Sequence, residues 1–230
     1  MSIKLTFHGH ATFSLDIDGT HVVVDPFFAP NNPSATKSAV DVAADYILQT
    51  HGHGDHIADT VSLAKRTGAL VIANFEIVNW LSAKGVTRVH GQHLGGGFKH
   101  PDPLGYVKMT TAFHGSGLPD GSYGGMPAGF LLNIQGKKIY FTGDTALFSD
   151  MALYAAGGLD LVIMPVGDNY TMGPDDALLA LDYLKPKAVI PCHYNTWPPI
   201  TQDVQAWANR VRKETHTEPV ILNAEESYSL

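Results

Sequence analysis

The chain has 230 residues, of which 44% are hydrophobic and 16% charged, a balance that excludes a disordered polymer. Its 15 cationic and 22 acidic side chains leave a formal charge of −7, which argues against broad binding of long nucleic acid or of an anionic membrane. The single cysteine, Cys192, excludes an intramolecular disulfide and a thiolate-rich zinc site. No stretch approaches the ~20 apolar residues of a membrane span, and the start lacks a basic segment followed by an apolar one. A cytoplasmic protein built as one domain over residues 1–230 is expected. A homo-oligomer is only a base-rate expectation.

Strand-like runs open the chain at Ile3–Phe7, Thr12–Ile17 and His21–Asp25, and Asp18-Gly19 reads as a tight hairpin turn. A short strand at Tyr46–Gln49 leads into a histidine-rich loop. Helical periodicity follows at Ile57–Arg66 and stops at Thr67-Gly68. Ala69–Ala73 reads as a buried strand and Phe75–Lys84 as a helix ending at Gly85. The Pro/Gly/Asn stretch 26–33 and the Gly-rich stretches 95–97 and 115–129 read as long loops of the kind that carry function.

The second half resembles the first. Phe130, Leu132, Ile134 and Gly136 repeat Phe13, Leu15, Ile17 and Gly19 at a constant offset of 117 positions. An apolar strand follows each glycine and ends near an aspartate, Asp25 or Asp144. Val61–Ile72 and Leu178–Ile190 both read as helix, turn and buried strand. Two related β-rich halves, each a sheet covered by helices, predict an α/β four-layer αββα sandwich. Pro174, Asp175 and Asp176 suit the start of a helix that runs to Leu184, where Lys185-Pro186 stops it. A strand at Lys187–Pro191, an amphipathic helix at Thr201–Thr215, and short strands at Val220–Asn223 and Ser227–Leu230 complete the order.

Five of the 12 histidines carry the chemistry. His51-Gly52-His53-Gly54-Asp55-His56 places three imidazoles and a carboxylate between a strand and a helix. Imidazole and carboxylate suit zinc and similar divalent ions, and the two glycines let alternate side chains converge. So many donors exceed one tetrahedral ion, so two nearby metals are expected. His114, Asp144 and His193 each stand just past a predicted strand and are candidates for the remaining ligands.

The stretch Thr50-His51-Gly52-His53-Gly54-Asp55-His56, followed in order by a lone His, Asp and His, resembles the signature of the metallo-β-lactamase superfamily. The resemblance implies the αββα fold. It also implies a first metal on His51, His53 and His114, a second on Asp55, His56 and His193, and Asp144 bridging the two. Gly9-His10-Ala11, Asp25-Pro26-Phe27, Gly167-Asp168 with Thr171-Met172-Gly173-Pro174, and Pro191 through Thr196 resemble one branch. That branch is the small prokaryotic uncharacterised metal-dependent hydrolases, relatives of the ascorbate-6-phosphate lactonase group. Di-iron relatives carry Glu where His53 stands, which favours zinc-type hydrolysis here. His and carboxylate ligands also suit Mn2+, Fe2+, Ni2+ or Co2+.

The implied function is a hydrolase in which two metals roughly 3.5–4 Å apart generate hydroxide from water. Its substrate is a small-molecule ester, lactone or phosphate-bearing compound. A phosphodiesterase or nuclease acting on nucleotides, or a non-catalytic metal-binding scaffold, is the alternative. Asp55 is expected to orient the attacking oxygen and shuttle its proton, with His10 nearby as a catalytic or substrate-contacting group. Asp25 is expected to hydrogen-bond a ligand histidine. Asp168, Asn169, Tyr170, Tyr194 and Asn195 are candidates to line the pocket. His8 is expected to point elsewhere, and Cys192 to face away from the site into the core. His90, His93, His100 and His216 read as surface or loop residues. Ser116 lacks a nucleophile-elbow motif and is set aside.

Overall fold

The computed structural model describes residues 2–230. β1 (Ile3–Phe7), β2 (Phe13–Ile17) and β3 (Thr20–Val24) form an antiparallel meander in which Leu5 faces Leu15 and Leu15 faces Val22. Asp18 and Gly19 make the β2–β3 turn with φ of 49° and 89°, the left-handed pair that a two-residue hairpin requires. From β3 the chain continues in parallel through β4 (Tyr46–Leu48), β5 (Leu70–Asn74) and β6 (Val89–Gln92). The second sheet repeats this plan. β7 (Gly97–Lys99), β8 (Tyr106–Thr111), β9 (Ala128–Ile134) and β10 (Lys137–Phe141) are antiparallel. β11 (Leu161–Pro165), β12 (Ala188–Cys192) and β13 (Glu218–Pro219) follow in parallel. β14 (Ser227–Ser229) returns to pair with β1, so each sheet has seven strands. The β9–β10 turn at Gln135 and Gly136, with φ of 52° and 89°, reproduces the β2–β3 turn.

Alternation along the strands builds three apolar layers. In β5, Ile72 joins the core between the sheets while Val71 and Ala73 face the helices outside. In β11, Leu161 and Ile163 face the other sheet, and Val162 and Met164 face outward. A parallel strand buried on both faces reads as a continuous apolar run, as this one does. α1 (Gly54–Ile57), α2 (Thr60–Thr67) and α3 (Phe75–Ala83) belong to the first half. α4 (Met151–Tyr154), α5 (Pro174–Leu184) and α6 (Val204–Glu214) belong to the second. Ile57, Leu63, Ile77 and Leu81 cover the first sheet, and Met151, Leu178, Leu181, Trp207 and Val211 cover the second. The layers are therefore αββα.

Four expectations shift. The helix expected over Ile57–Arg66 is two helices, because Asp59 leaves helical geometry (φ −102°, ψ 0°) and binds the preceding loop. Its Oδ2 accepts from Phe28 N at 2.7 Å and its N–H donates to Pro26 O at 3.0 Å. The strand expected at Val220–Asn223 lies at Glu218–Pro219, with one further bond from Val220 N to Val189 O. The helix expected from Thr201 begins at Val204, capped by Asp203 Oδ1 on Ala206 N. His100 is in a loop but buried at 2% exposure, within an aromatic cluster of Tyr46, His90 and Phe98. Among the described residues no helix is long and apolar enough to cross a membrane.

Candidate metal centre

The strand ends of both sheets meet along one edge, and the cluster assembles there. His51, His53, Asp55 and His56 come from the loop after β4 and the first turn of α1. His114 follows β8, Asp144 follows β10 and His193 follows β12. His10 comes from the β1–β2 loop. Asp144 is delivered by Gly143, whose φ of 64° is left-handed and whose missing Cβ would lie 2.3 Å from Ala128 O. Only glycine fits that turn.

Two donor sets result. Nitrogens of His51, His53 and His114 form one, with His53 Nδ1 lying 3.1 Å from His51 Nε2 and 3.2 Å from His114 Nε2. Ligand atoms of His10, Asp55, His56 and His193 form the other, all within 4.8 Å of one another. Asp144 Oδ2 stands between the sets. It is 3.1 Å from His193 Nε2, 3.2 Å from His56 Nε2, 3.6 Å from His114 Nε2 and 4.0 Å from His51 Nε2. A cleft of about 280 Å³ opens over them, lined by His53, Asp55, His114, Asp144, Tyr170 and His193.

The hydrogen bonds behind the cluster settle which nitrogens face it. Buried Asp25 accepts four bonds: Gln49 Nε2 (3.1 Å) and Thr50 N (2.8 Å) on Oδ1, and Thr50 Oγ1 (2.6 Å) and His56 Nδ1 (2.8 Å) on Oδ2. Burial pushes the Asp25 carboxyl up, opposed by the bonds from His56 and Thr50. Thr50 has one hydroxyl proton and gives it to Asp25, so its 2.9 Å contact with His51 Nδ1 is donated by the imidazole. One carboxylate thus fixes two rings, His56 directly and His51 through Thr50, and both rings turn Nε2 into the cluster.

That arrangement fits a cation. His56 Nε2 is buried without a hydrogen-bond partner among the described residues, and in the other set His53 Nδ1 lies within 3.2 Å of both His51 Nε2 and His114 Nε2. A proton on His53 Nδ1 can serve only one of these two neighbours, whereas a cation among them would satisfy all three nitrogens. The titration directions agree. Burial opposes protonation of His56, but the Asp144 and Asp25 carboxylates outweigh it and hold the ring well above its ordinary range. His193 is pushed up to about 9, where burial is outweighed by Asp144 and Asp55. Asp144 is held well below the usual carboxylate range, with burial overcome by His193 and His56. The imidazoles and two carboxylates of these sets are borderline and hard donors of the kind zinc and other first-row divalent ions accept.

His10 sits against this centre. Burial brings its ring down to about 4, opposed by Asp55, so it is neutral near pH 7. Its Nε2 donates to Asp55 Oδ2 at 3.1 Å and its Nδ1 accepts from Thr196 Oγ1 at 2.8 Å. Its backbone carbonyl also accepts from His193 N at 2.8 Å. This loop of the first sheet therefore ties together a donor from each half.

Other candidates fall elsewhere. Tyr170 lines the cleft, whereas exposed Asp168 and Asn169 form a left-handed turn closed by Asp168 Oδ1 on Asn169 N. Tyr194 packs on the outer helix layer, and burial pushes its hydroxyl up to about 12. Asn195 caps its own loop by accepting from Gln202 N at 2.7 Å. Cys192 belongs to the core as expected but does not lie clear of the site. It lines a cavity of about 20 Å³ under the cluster with Asp25, His56 and Asp144. His8 points away, bonding Glu225 and Ser14. Ser116 is a brace: Oγ accepts from Gly52 N at 3.1 Å and donates to Gly124 O at 2.8 Å. Thr50, Gln49 and Thr196 were not singled out from the sequence. Thr50 had a visible signal, a hydroxyl directly before the histidine cluster.

Two facing mixed sheets with a histidine–aspartate cluster at their common edge define the metallo-β-lactamase fold. Residues 20–194 match the family described as the beta-lactamase superfamily domain. A UPF0173 metal-dependent hydrolase of Anoxybacillus flavithermus is 48% identical over 214 residues, 91% of this chain and 93% of that protein. Its counterpart in Thermus thermophilus is 46% identical over 212 residues, 92% of each. Among solved structures, Igni18, a novel metallo hydrolase from the hyperthermophilic archaeon Ignicoccus hospitalis, superposes with a TM-score of 0.91 at 32% identity. That match covers 100% of this chain and 99% of the other. The chain belongs to the beta-lactamase superfamily and, within it, to the UPF0173 metal-dependent hydrolases.

Proposed function

We propose that the chain is a hydrolase that works with two divalent metal ions, zinc by donor preference, on a small ester, lactone or phosphate-bearing substrate. The observation that carries this reading is the pair of donor sets sharing Asp144 Oδ2, with imidazole nitrogens converging beneath an open cleft. His51, His53 and His114 would hold one ion, Asp55, His56 and His193 the other, and Asp144 both. Ions held there supply Lewis acidity and bring the pKa of water toward neutrality.

The chain's own groups do the rest. Asp55, with its side chain 28% exposed against 4% for Asp144, is the more open of the two carboxylates that line the cleft. His10 holds its Oδ2, leaving Oδ1 to take a proton from the attacking water and to return it to the leaving oxygen. Neutral His10 keeps Asp55 from rotating out of reach. Asp25 and Thr50 hold the imidazoles in the tautomers that ligation requires.

A panel of acyl esters, lactones and phosphodiesters, assayed with metal-replete and chelator-stripped protein, tests this. Hydrolysis of at least one class should depend on metal and fall at least about 100-fold in Asp55→Asn. Protein carrying two equivalents of metal that turns over none of them would contradict it.

A further inference from the structure

The walls of the cleft are poor in positive charge. The loops gathered at this edge span residues 8–12, 25–38, 49–56, 112–127, 142–150, 166–173 and 193–203, and Lys37 is their only Lys or Arg. Lys37 is already taken: its Nζ lies 2.8 Å from Glu225 Oε2. The same loops carry Asp150, Asp168 and Asp203, all exposed and without an ion-pair partner among the described residues, although none of the three lines the cleft itself. A phosphate set apart from the reacting centre would find no free cation on these loops to receive it.

Apolar surface takes the place of charge. Phe113 is 58% exposed directly before His114, and Tyr170, 57% exposed, lines the cleft. Their loops are fastened together at Thr145, whose Oγ1 accepts from Phe113 N and whose carbonyl accepts from Met172 N, both at 3.0 Å. Phe148 packs edge-on against Phe113 with ring centroids 5.1 Å apart. The chain therefore holds aromatic side chains open to solvent beside the donor cluster, at a cost that a ligand with a hydrocarbon part would recover.

We infer that the substrate is an uncharged carboxylic ester or lactone with a hydrocarbon substituent, and that phosphate-bearing substrates are disfavoured. This rests on the hydrolase reading above and narrows it. In the reaction, the oxygen of water bonds to the acyl carbon and the acyl C–O bond breaks. The leaving oxygen takes one proton of that water and the other goes to solvent, giving an alcohol and a carboxylate. The carboxylate head would sit over the cluster and the hydrocarbon would lie against Phe113 and Tyr170.

Binding of product analogues tests this by calorimetry on the metal-loaded protein. Straight-chain carboxylates from acetate to octanoate should gain about 2–4-fold in affinity per methylene until the aromatic wall is covered. Phe113→Ser and Tyr170→Ser, both at exposed positions, should flatten that series. A phosphorylated short-chain acid should bind no tighter than its unphosphorylated parent, and Tyr170→Lys should improve its binding by about tenfold. Affinity independent of chain length, or tighter binding of the phosphorylated acid to the unaltered protein, would overturn the inference. Preferred turnover of phosphorylated lactones would overturn it while leaving the hydrolase reading intact. Chain-length-dependent binding without turnover of any ester would uphold this ligand class and overturn the hydrolase reading instead.

Discussion

Asp25→Asn isolates the role of the buried carboxylate that never touches the cleft. Oδ1 of Asp25 faces Thr50 N–H and Gln49 Nε2, and the Gln49 amide cannot rotate freely because its Oε1 accepts from Thr60 Oγ1 at 2.6 Å. The new amide oxygen must take the Oδ1 side, so the NH2 replaces Oδ2. It then confronts Thr50 Oγ1–H and His56 Nδ1–H, two donors. Relief comes only if Thr50 accepts from the amide and donates to His51 Nδ1, and if His56 Nδ1 gives up its proton. Both rings then carry hydrogen on Nε2, the nitrogen that the proposed function gives to a cation. Removing one such supporting bond costs about 10–100-fold in metal affinity, and here two ligands are affected at once. A loss of at least about 100-fold, close to 3 kcal/mol, is expected. Chelator competition measures the affinity, and 15N-edited NMR of the metal-free protein reads the histidine tautomers directly. An affinity within about threefold of wild type, or Nδ1-protonated His51 and His56 in the variant, would refute the reasoning.

Further predictions concern the frame around the site. Gly143→Ala puts a Cβ 2.3 Å from Ala128 O in a left-handed turn, and a stability loss of about 2–4 kcal/mol is expected by urea denaturation; less than about 0.5 would contradict the fit. Ser116→Ala leaves Gly52 N without its acceptor and should cost about 1–2 kcal/mol in the same assay. His100 is brought down to about 4 by burial and by His90, against an ordinary 6.5. Between those values the unfolded chain binds the proton and the folded chain does not, so this group's contribution is present above pH 6.5 and is lost as pH falls toward 4. Relative to His100→Phe, the wild type should lose about 1–2 kcal/mol between pH 7 and pH 5; parallel pH profiles would contradict this.

Much of the candidate site is legible because its residues follow directly on apolar runs that stand out in the sequence as strands. The turn pairs Asp18-Gly19 and Gln135-Gly136 have the same backbone geometry, so the repeat visible in residue types is physical. Misplaced boundaries trace to tertiary contacts that periodicity does not record. Asp59 breaks a helix to bind Phe28 N, a partner 31 positions away. His100 reads as a surface or loop residue; it lies in a loop, but Tyr46 and His90 from two strands pack against it and it is buried. Pro219 and Val220 carry the parallel pairing to β12, so the final β-branched run marks burial beside the sheet more than a strand. Tyr194 and Asn195 adjoin His193 in sequence, yet the left-handed backbone at His193 and Asn195 turns the chain there, and neither side chain joins the cleft.

Metal content tests the central claim most directly. Protein purified without chelator and loaded with zinc or manganese should hold close to two equivalents by elemental analysis. Asp144→Ala, which removes the oxygen lying between both donor sets, should bring this to one or fewer. Metal near zero in the loaded wild type, or two equivalents retained after Asp144→Ala, would contradict a centre shared through that carboxylate.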